Sequence, residues 1–152
     1  MNKKIIIIGG VAAGMSAASK AKRIDKSLDI TVYEMTEAIS WGACGLPYYV
    51  GDFYPDASLM VARTYEEFQK EGINVKIKHK VENVDFKNKK VFVRNLNENK
   101  VFEDSYDELV IATGASSTSP KDIKNLDAEG VYNLKTFNEG LEVKKELMKK
   151  EN

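Results

Sequence analysis

The sequence is poor in the residues that build several common kinds of site. Its 152 residues include one cysteine and one histidine, His79. A disulfide within the chain is therefore impossible, and no metal site made of several cysteines is expected. The 23 Lys and Arg residues equal the 23 Asp and Glu residues in number. The chain thus lacks the basic excess typical of proteins that bind nucleic acid, and we expect no nucleic-acid partner.

Long apolar runs are also missing. No stretch approaches the roughly 20 apolar residues that a membrane-spanning helix needs, so no membrane partner is expected. Lys3 and Lys4 followed by four isoleucines loosely resemble a secretory signal, but glycines interrupt the run from Gly9 onward. We therefore expect a cytoplasmic chain.

The first part of the chain has the pattern of a βαβ unit. Ile5–Ile8 is a β-branched run typical of a strand buried on both faces, and Ile30–Glu34 predicts a second strand. Between them, Gly9–Gly14 predicts a turn and Ala13–Ile24 is rich in helix formers. Strands joined by such a crossover are parallel.

The later segments extend this pattern to an α/β fold with three layers, a parallel sheet and an antiparallel β-meander. The expected elements are a short helix that starts at the capping box Thr64–Glu67, runs to about Glu71 and stops at Gly72, a half-exposed strand at Asn74–Lys78, a hairpin or meander at 84–104, a buried strand at Leu109–Ala112, and a loop at 115–126. For Thr136–Lys150 we expect a surface helix, with a frayed terminus as the alternative.

The loop Gly9–Gly14 lies where a dinucleotide-binding turn should lie, after a buried strand and at a helix start. Val11 replaces the middle glycine of the G-x-G-x-x-G pattern, so the loop alone could be a plain turn. Glu34 ends the second strand, 20 residues after Gly14. A carboxylate there accepts hydrogen bonds from a ribose hydroxyl and disfavours a 2′-phosphate. Together they predict FAD or NAD rather than NADP in this loop.

Cys44 lies in the segment Ser40–Tyr49, which is rich in small and aromatic residues. A free cysteine is usually a small buried hydrophobe. Here Pro47 predicts a helix start, and a thiolate is stabilised near a helix N-terminus. Without a second cysteine, Cys44 would have to cycle through a mixed disulfide, a persulfide or a sulfenic acid.

These motifs, with the strand that ends at Ala112-Thr113-Gly114, resemble the N-terminal FAD domain of the pyridine nucleotide–disulfide oxidoreductases. The pattern from Ser40 through Cys44-Gly-Leu-Pro-Tyr-Tyr is similar to the branch holding coenzyme A-disulfide reductase, NADH oxidase and NADH peroxidase. Oxidases and peroxidases of this branch carry a histidine inside the glycine loop, where this chain has Ala12. The resemblance therefore favours coenzyme A-disulfide or persulfide reductase, and oxidase or peroxidase is the alternative within the family.

The resemblance implies a set of site residues. Cys44 would be catalytic. Polar residues expected to contact coenzyme A are Ser16, Lys20, Arg23 and Ser40, although Lys20 and Arg23 fit a solvated basic helix end about equally well. The residues expected to bind FAD are Gly9, Gly10, Val11, Ala12, Ala13, Gly14, Glu34, Met35, Ala43, Val81, Ala112, Thr113 and Gly114. For the last three, a simple strand-to-turn junction explains the spacing equally well. The asparagine that often precedes the family's cysteine is Ala43 here.

Family members are longer, which implies that this chain is a piece of a larger parent. We expect an incomplete FAD-binding domain over residues 1–120, and over 121–152 a connecting segment and helix toward a domain for NAD(P)H. The parent would be a homodimer that passes electrons from NAD(P)H through FAD to Cys44, and this piece alone would not turn over. Two readings outside the family remain: a plain NAD-binding Rossmann module, and a redox-sensing module that uses Cys44 as a switch.

Overall fold

The computed structural model describes residues 2–118, 120 and 122–150. Its elements, in chain order, are β1 Lys4–Ile8, α1 Ala12–Ile24, β2 Asp29–Tyr33, α2 Leu46–Val50, α3 Tyr65–Lys70, β3 Ile73–Lys76, β4 His79–Asp85, β5 Lys90–Asn95, β6 Lys100–Ser105, β7 Glu108–Ile111 and α4 Phe137–Lys150. Within this part of the chain, no helix is both long and apolar enough to cross a membrane.

The chain divides into two compact units. The first unit comprises Met1–Trp41 and Ala62–Gly114, and the second comprises Gly42–Val61 and Ala115–Asn152. The expected boundary at residue 120 stays a prediction, and Lys121, Glu151 and Asn152 of the expected connecting segment lie outside the described residues.

The first unit is built on a four-stranded sheet in the order β3-β2-β1-β7, in which every neighbouring pair is parallel. Ile6 of β1 lies opposite Thr31 of β2 and Leu109 of β7. The βαβ prediction is thereby confirmed, because β1, α1 and β2 follow in the expected order within one residue of the expected bounds. The parallel arrangement brings the C-terminal ends of these strands to one edge of the sheet.

Each face of the sheet carries a different layer. One face packs against α1 and α3 through a core that includes Ile7, Val32, Met15 and Phe68, each at most 3% exposed. The other face packs against the antiparallel meander β4-β5-β6 through Ile6, Ile8, Tyr33, Val91, Val93 and Tyr106. Alternate residues of one strand thus serve opposite faces, as β geometry requires. The expected three-layer α/β fold, with its parallel sheet and meander, is confirmed.

Strand β7 differs from its prediction in burial. The apolar sequence Leu109–Ala112 predicts a buried strand, but the residues of β7 are half-buried or exposed, and Ile111 is 58% exposed. Within the described residues β7 pairs with β1 alone and forms one end of the sheet. The burial of a strand depends on its neighbours as well as on its own composition.

The second unit contains α2 and α4, with 3-10 turns at Ala43–Gly45 and Ala57–Met60. The predicted surface helix at the end of the chain is confirmed as α4. Gly140 of α4 packs against Leu46 of α2, and a Cβ added at Gly140 would lie only 2.3 Å from Leu46 Cδ2. Leu46 is consequently almost fully buried, at 1% exposure.

Candidate dinucleotide site and the Cys44 segment

The glycine loop lies at the C-terminal end of β1, where Gly9 meets the end of β7. Gly9 has a φ of +105°, and its N–H donates to Tyr33 O at 2.8 Å. A Cβ at Gly9 would lie 2.2 Å from Ala112 O. The structure therefore brings the end of β7, with Ala112, directly against this loop.

The start of α1 is packed onto the same loop and is open to an anion. A Cβ at Gly14 would lie 1.8 Å from Gly9 O, so only glycine permits this approach. Val11 is the N-cap, no side chain caps the helix, and no acidic residue lies in its first turn. Ala12 and Ala13 are exposed. A helix start with N–H groups free of side-chain caps and a partial positive charge fits a pyrophosphate.

Glu34 is fixed beside the loop by three hydrogen bonds. Its Oε2 accepts from Gly10 N at 2.7 Å, and its Oε1 accepts from Thr36 N at 2.8 Å and from Thr36 Oγ1 at 2.7 Å. The side chain is buried, with 6% exposure. A carboxylate offers about four acceptor positions, so one remains for a ribose hydroxyl. The N–H groups at the start of α1 and the carboxylate of Glu34 therefore fit the pyrophosphate and the adenosine ribose of a dinucleotide cofactor.

Thr36 is a residue that the sequence analysis missed. It holds Glu34 in place through its N–H and its hydroxyl. A threonine two residues after an acidic strand end is the available signal, because Ser and Thr readily form such local bonds. On its own that signal is too common to be informative.

Ser40 also reaches the loop, through its backbone. Its N–H donates to Gly10 O at 2.9 Å, its O accepts from Ala62 N at 2.8 Å, and its φ is +49°. This left-handed conformation is uncommon for a residue other than glycine. The expected substrate contact of the Ser40 side chain stays a prediction.

The remaining residues predicted in the first unit lie in varied places. Met35 directly follows Glu34 and is 57% exposed, whereas Val81 lies in β4 and packs against the core beneath the meander. Ser16, Lys20 and Arg23 are all exposed and share one face of α1 by their spacing. Thr113 and Gly114 follow β7, and Gly114 has a φ of +67°.

Cys44 lies in the second unit, together with Ala43. Both belong to the 3-10 turn Ala43–Gly45, which leads directly into α2, and both are exposed. Gly42 N donates to Met60 O at 2.8 Å and Gly45 N donates to Gly42 O at 2.9 Å, so the turn is tied at both ends. Pro47 is in the first turn of α2, as predicted. The thiol is accessible to a reactant in solvent.

The described residues contain no group of three or more His, Cys, Asp or Glu side chains that could hold a metal ion. The single histidine, His79, starts β4, and its ring Nδ1 lies 2.7 Å from Ile77 O.

Comparison with protein families matches residues 3–151 to the family described as pyridine nucleotide-disulphide oxidoreductase. A coenzyme A disulfide reductase of Staphylococcus epidermidis is 40% identical over 115 residues, which are 75% of this chain and 26% of that protein. This chain thus spans about a quarter of the length of the curated relatives it matches.

Two solved structures extend the likeness to the fold. A NAD-dependent persulfide reductase from A. fulgidus is 36% identical with a TM-score of 0.86, over 98% of this chain and 27% of the other. A water-forming NADH oxidase from Lactobacillus brevis bound to NADH is 28% identical with a TM-score of 0.90, over 97% of this chain and 32% of the other. The comparisons support the expected cofactors of the family, FAD with NAD(P)H.

Proposed function

This chain belongs to the pyridine nucleotide-disulphide oxidoreductase family, and on that premise we propose that it is the FAD-binding part of an enzyme that reduces coenzyme A disulfide or persulfide with NAD(P)H. Cys44 is the redox-active group of this proposal. The observation that carries it is the position of an exposed, solitary cysteine at the entry to α2, in a chain whose relatives include coenzyme A disulfide reductases.

The first unit supplies the cofactor site in this proposal. The uncapped start of α1 binds the pyrophosphate, and the remaining acceptor position of Glu34 binds a ribose hydroxyl. When bound, the flavin supplies the two electrons, received from NAD(P)H, that regenerate a reduced sulfur centre.

The chemistry of Cys44 is thiol–disulfide exchange. Its thiolate attacks one sulfur of a coenzyme A disulfide, which forms a mixed disulfide and releases one coenzyme A thiolate. Two electrons and one proton then restore the Cys44 thiolate and release the second coenzyme A as a thiol. The exposed Ser16, Lys20 and Arg23 on α1 offer a hydroxyl and two cations for the polar and phosphate groups of this substrate.

Cofactor retention tests the first half of the proposal. We expect the purified chain, mixed with FAD and passed through gel filtration, to keep a flavin absorbance band. Glu34→Gln should weaken FAD binding about tenfold, because an amide presents a donor where Gly10 and Thr36 already donate. Glu37→Gln is the matched control, since Glu37 is exposed and pairs only with Lys78 in the described contacts. Retention of NAD but not FAD would contradict the proposal.

Mass spectrometry tests the second half. Incubation with coenzyme A disulfide should add one coenzyme A to the chain, and Cys44→Ser should abolish the adduct. An unmodified wild-type chain that is still alkylated at Cys44 would contradict the assigned substrate.

A related activity is favoured by one comparison. The likeness to the water-forming NADH oxidase makes oxygen reduction the second candidate. Ala12 in the glycine loop speaks against it, and oxygen consumption by the full-length parent, without added disulfide, distinguishes the two.

A further inference from the structure

Lys144 is a buried lysine with no part in the proposed chemistry. It lies in α4 and is only 7% exposed, whereas its neighbour Lys145 is exposed. Lysine is rarely buried unless its ammonium group has partners. The partners of Lys144 therefore show what its position stabilises.

In the described contacts the Lys144 ammonium group has three partners, of which one lies in α2 and two lie in the turn that follows it. Its Nζ donates to Tyr54 O at 3.1 Å, pairs with Asp52 Oδ1 at 2.9 Å, and lies 4.2 Å from the centroid of the Tyr49 ring. Asp52 has a φ of +65°, a left-handed conformation that must be held by its surroundings. Lys144 thus fixes a strained turn from within the second unit.

This turn is connected to Cys44 through Tyr54. The Tyr54 ring packs against Gly45, where an added Cβ would lie 3.4 Å from Tyr54 Cε2. Gly45 directly follows Cys44 in the same 3-10 turn. One helical turn before Lys144, Gly140 packs against Leu46, the first residue of α2. One face of α4 therefore contacts α2 and the turn that follows it, both of which come directly after Cys44 in the chain.

We propose that Lys144 is a positioning residue for Cys44. It acts through Tyr54 and Gly45, and together with Gly140 it makes α4 the support on which the Cys44 turn and α2 are held. The inference rests on the proposed function of Cys44 for its catalytic meaning. It also gives a role to one aromatic residue of α2, because the Tyr49 ring lies against the Lys144 ammonium group.

The test measures Cys44 reactivity, which is unambiguous because the chain has one cysteine. Rates of mixed-disulfide formation with coenzyme A disulfide and of alkylation by iodoacetamide are compared in wild type, Lys144→Met, Lys144→Arg and the control Lys145→Met. We expect Lys144→Met to slow both reactions at least fivefold, because thiolate attack depends on how the thiol is held. Lys144→Arg, which keeps the charge and the donors, should stay within twofold of wild type, as should Lys145→Met.

Hydrogen exchange provides the structural measurement. The amides of Gly51 and Phe53, which donate to Pro47 O and Tyr48 O, should exchange at least tenfold faster in Lys144→Met and recover in Lys144→Arg. Faster exchange with unchanged Cys44 rates would overturn the proposal, since Lys144 would then be purely structural. Wild-type rates in Lys144→Met, or equal damage in Lys144→Arg, would overturn it as well.

One outcome separates this proposal from the proposed function. If wild type forms no coenzyme A adduct but Lys144→Met still slows alkylation, the substrate assignment fails and the positioning role stands. If Lys144→Met does not fold, as shown by loss of its helical circular dichroism, the same two reaction rates of Cys44 are measured in Lys144→Gln instead. Glutamine lacks the charge but can still donate to the Tyr54 carbonyl. A Lys144→Gln chain that folds and reacts at the wild-type rate would overturn the role of the charge.

Discussion

Only glycine fits at position 14, because the backbone of Gly9 lies too close for any side chain. It lies in the first turn of α1, and a Cβ there would be 1.8 Å from Gly9 O, far inside any van der Waals distance. Gly9 in turn abuts the carbonyl of Ala112. The two glycines therefore set how closely helix, loop and strand approach one another, and the cofactor site depends on that approach.

We predict that Gly14→Ala lowers the free energy of unfolding by roughly 3 kcal/mol and abolishes FAD retention, because the backbone must shift to admit the methyl group. Urea unfolding and gel filtration with FAD measure the two effects. Gly42→Ala is the control: its nearest neighbours would be 3.9 Å away and its φ is −90°, so its stability should change by less than about 1 kcal/mol. Equal stabilities of the two variants would refute this account.

Residues near in sequence to a motif were predictable, and residues joined to it only by the fold were not. Gly9, Gly14 and Glu34 follow from the order of strand, loop and helix, and the structure brings them together. Lys144 lies 90 residues from Tyr54 in the chain, and nothing in the local sequence indicates that they meet. Long-range polar contacts depend on packing, which composition and periodicity do not encode locally.

A hydrogen bond between Tyr33 and Asp104 joins the parallel sheet to the meander within a layer that is otherwise mainly apolar. Tyr33 at the end of β2 is 3% exposed, and its hydroxyl donates to Asp104 Oδ2 of β6 at 2.8 Å. The ammonium group of Lys4 in β1 also pairs with Asp104. Burial, and then the bond to the Asp104 carboxylate, raise the pKa of Tyr33 well above its usual value near 10.

This shift predicts a loss of stability in alkaline solution. The folded state keeps the Tyr33 proton at pH values where the unfolded chain releases it. The stabilisation of the folded state by the Tyr33 hydroxyl is therefore complete below about pH 10 and declines above it. Between pH 10 and 11, wild type should lose about 1 kcal/mol more than Tyr33→Phe. Denaturant unfolding from pH 7 to 11 measures the difference. Tyr65→Phe is the control, because in the described contacts the Tyr65 hydroxyl accepts a hydrogen bond from the Gln69 amide and pairs with no carboxylate. This variant should follow the wild-type profile.

The elements of the first unit were predictable from the spacing of apolar residues and from the residues that cap helices and form turns. The β-branched run of β1 and the capping box at Thr64 each have a local physical cause, each lies where it was expected, and the meander lies within the range predicted for it. The burial of β7 was wrong, although its existence and direction were right. A strand's apolar sequence identifies the strand, but its place in the sheet decides how much of it is covered.

At the scale of the whole molecule, the two units differ in how much apolar surface they bury. The first unit has two core clusters on opposite faces of its sheet. In the described part of the second unit, Leu46 and Met60 are the only large apolar side chains that are buried. Since burial is the main source of folding free energy, the second unit should open more readily.

Native-state hydrogen exchange should reveal this difference directly. We predict that amides of Ile6, Ile7 and Val32, at the centre of the sheet, exchange only by global unfolding, whereas Gly51 and Phe53 exchange through local opening. Exchange rates at low denaturant concentrations distinguish the two, because only global unfolding responds steeply to denaturant. The same steep response in both groups would mean that the chain unfolds as one cooperative unit.

The open side of β7 has a practical consequence for anyone who handles this chain. Beyond β1, the described residues leave this strand with unused backbone donors and acceptors, and Ile111 on it is largely exposed. Such a border is a template on which another extended segment can align. Dilute samples should therefore be preferred during purification and storage. In a split-protein design, a separately expressed strand could be added at this edge of the sheet.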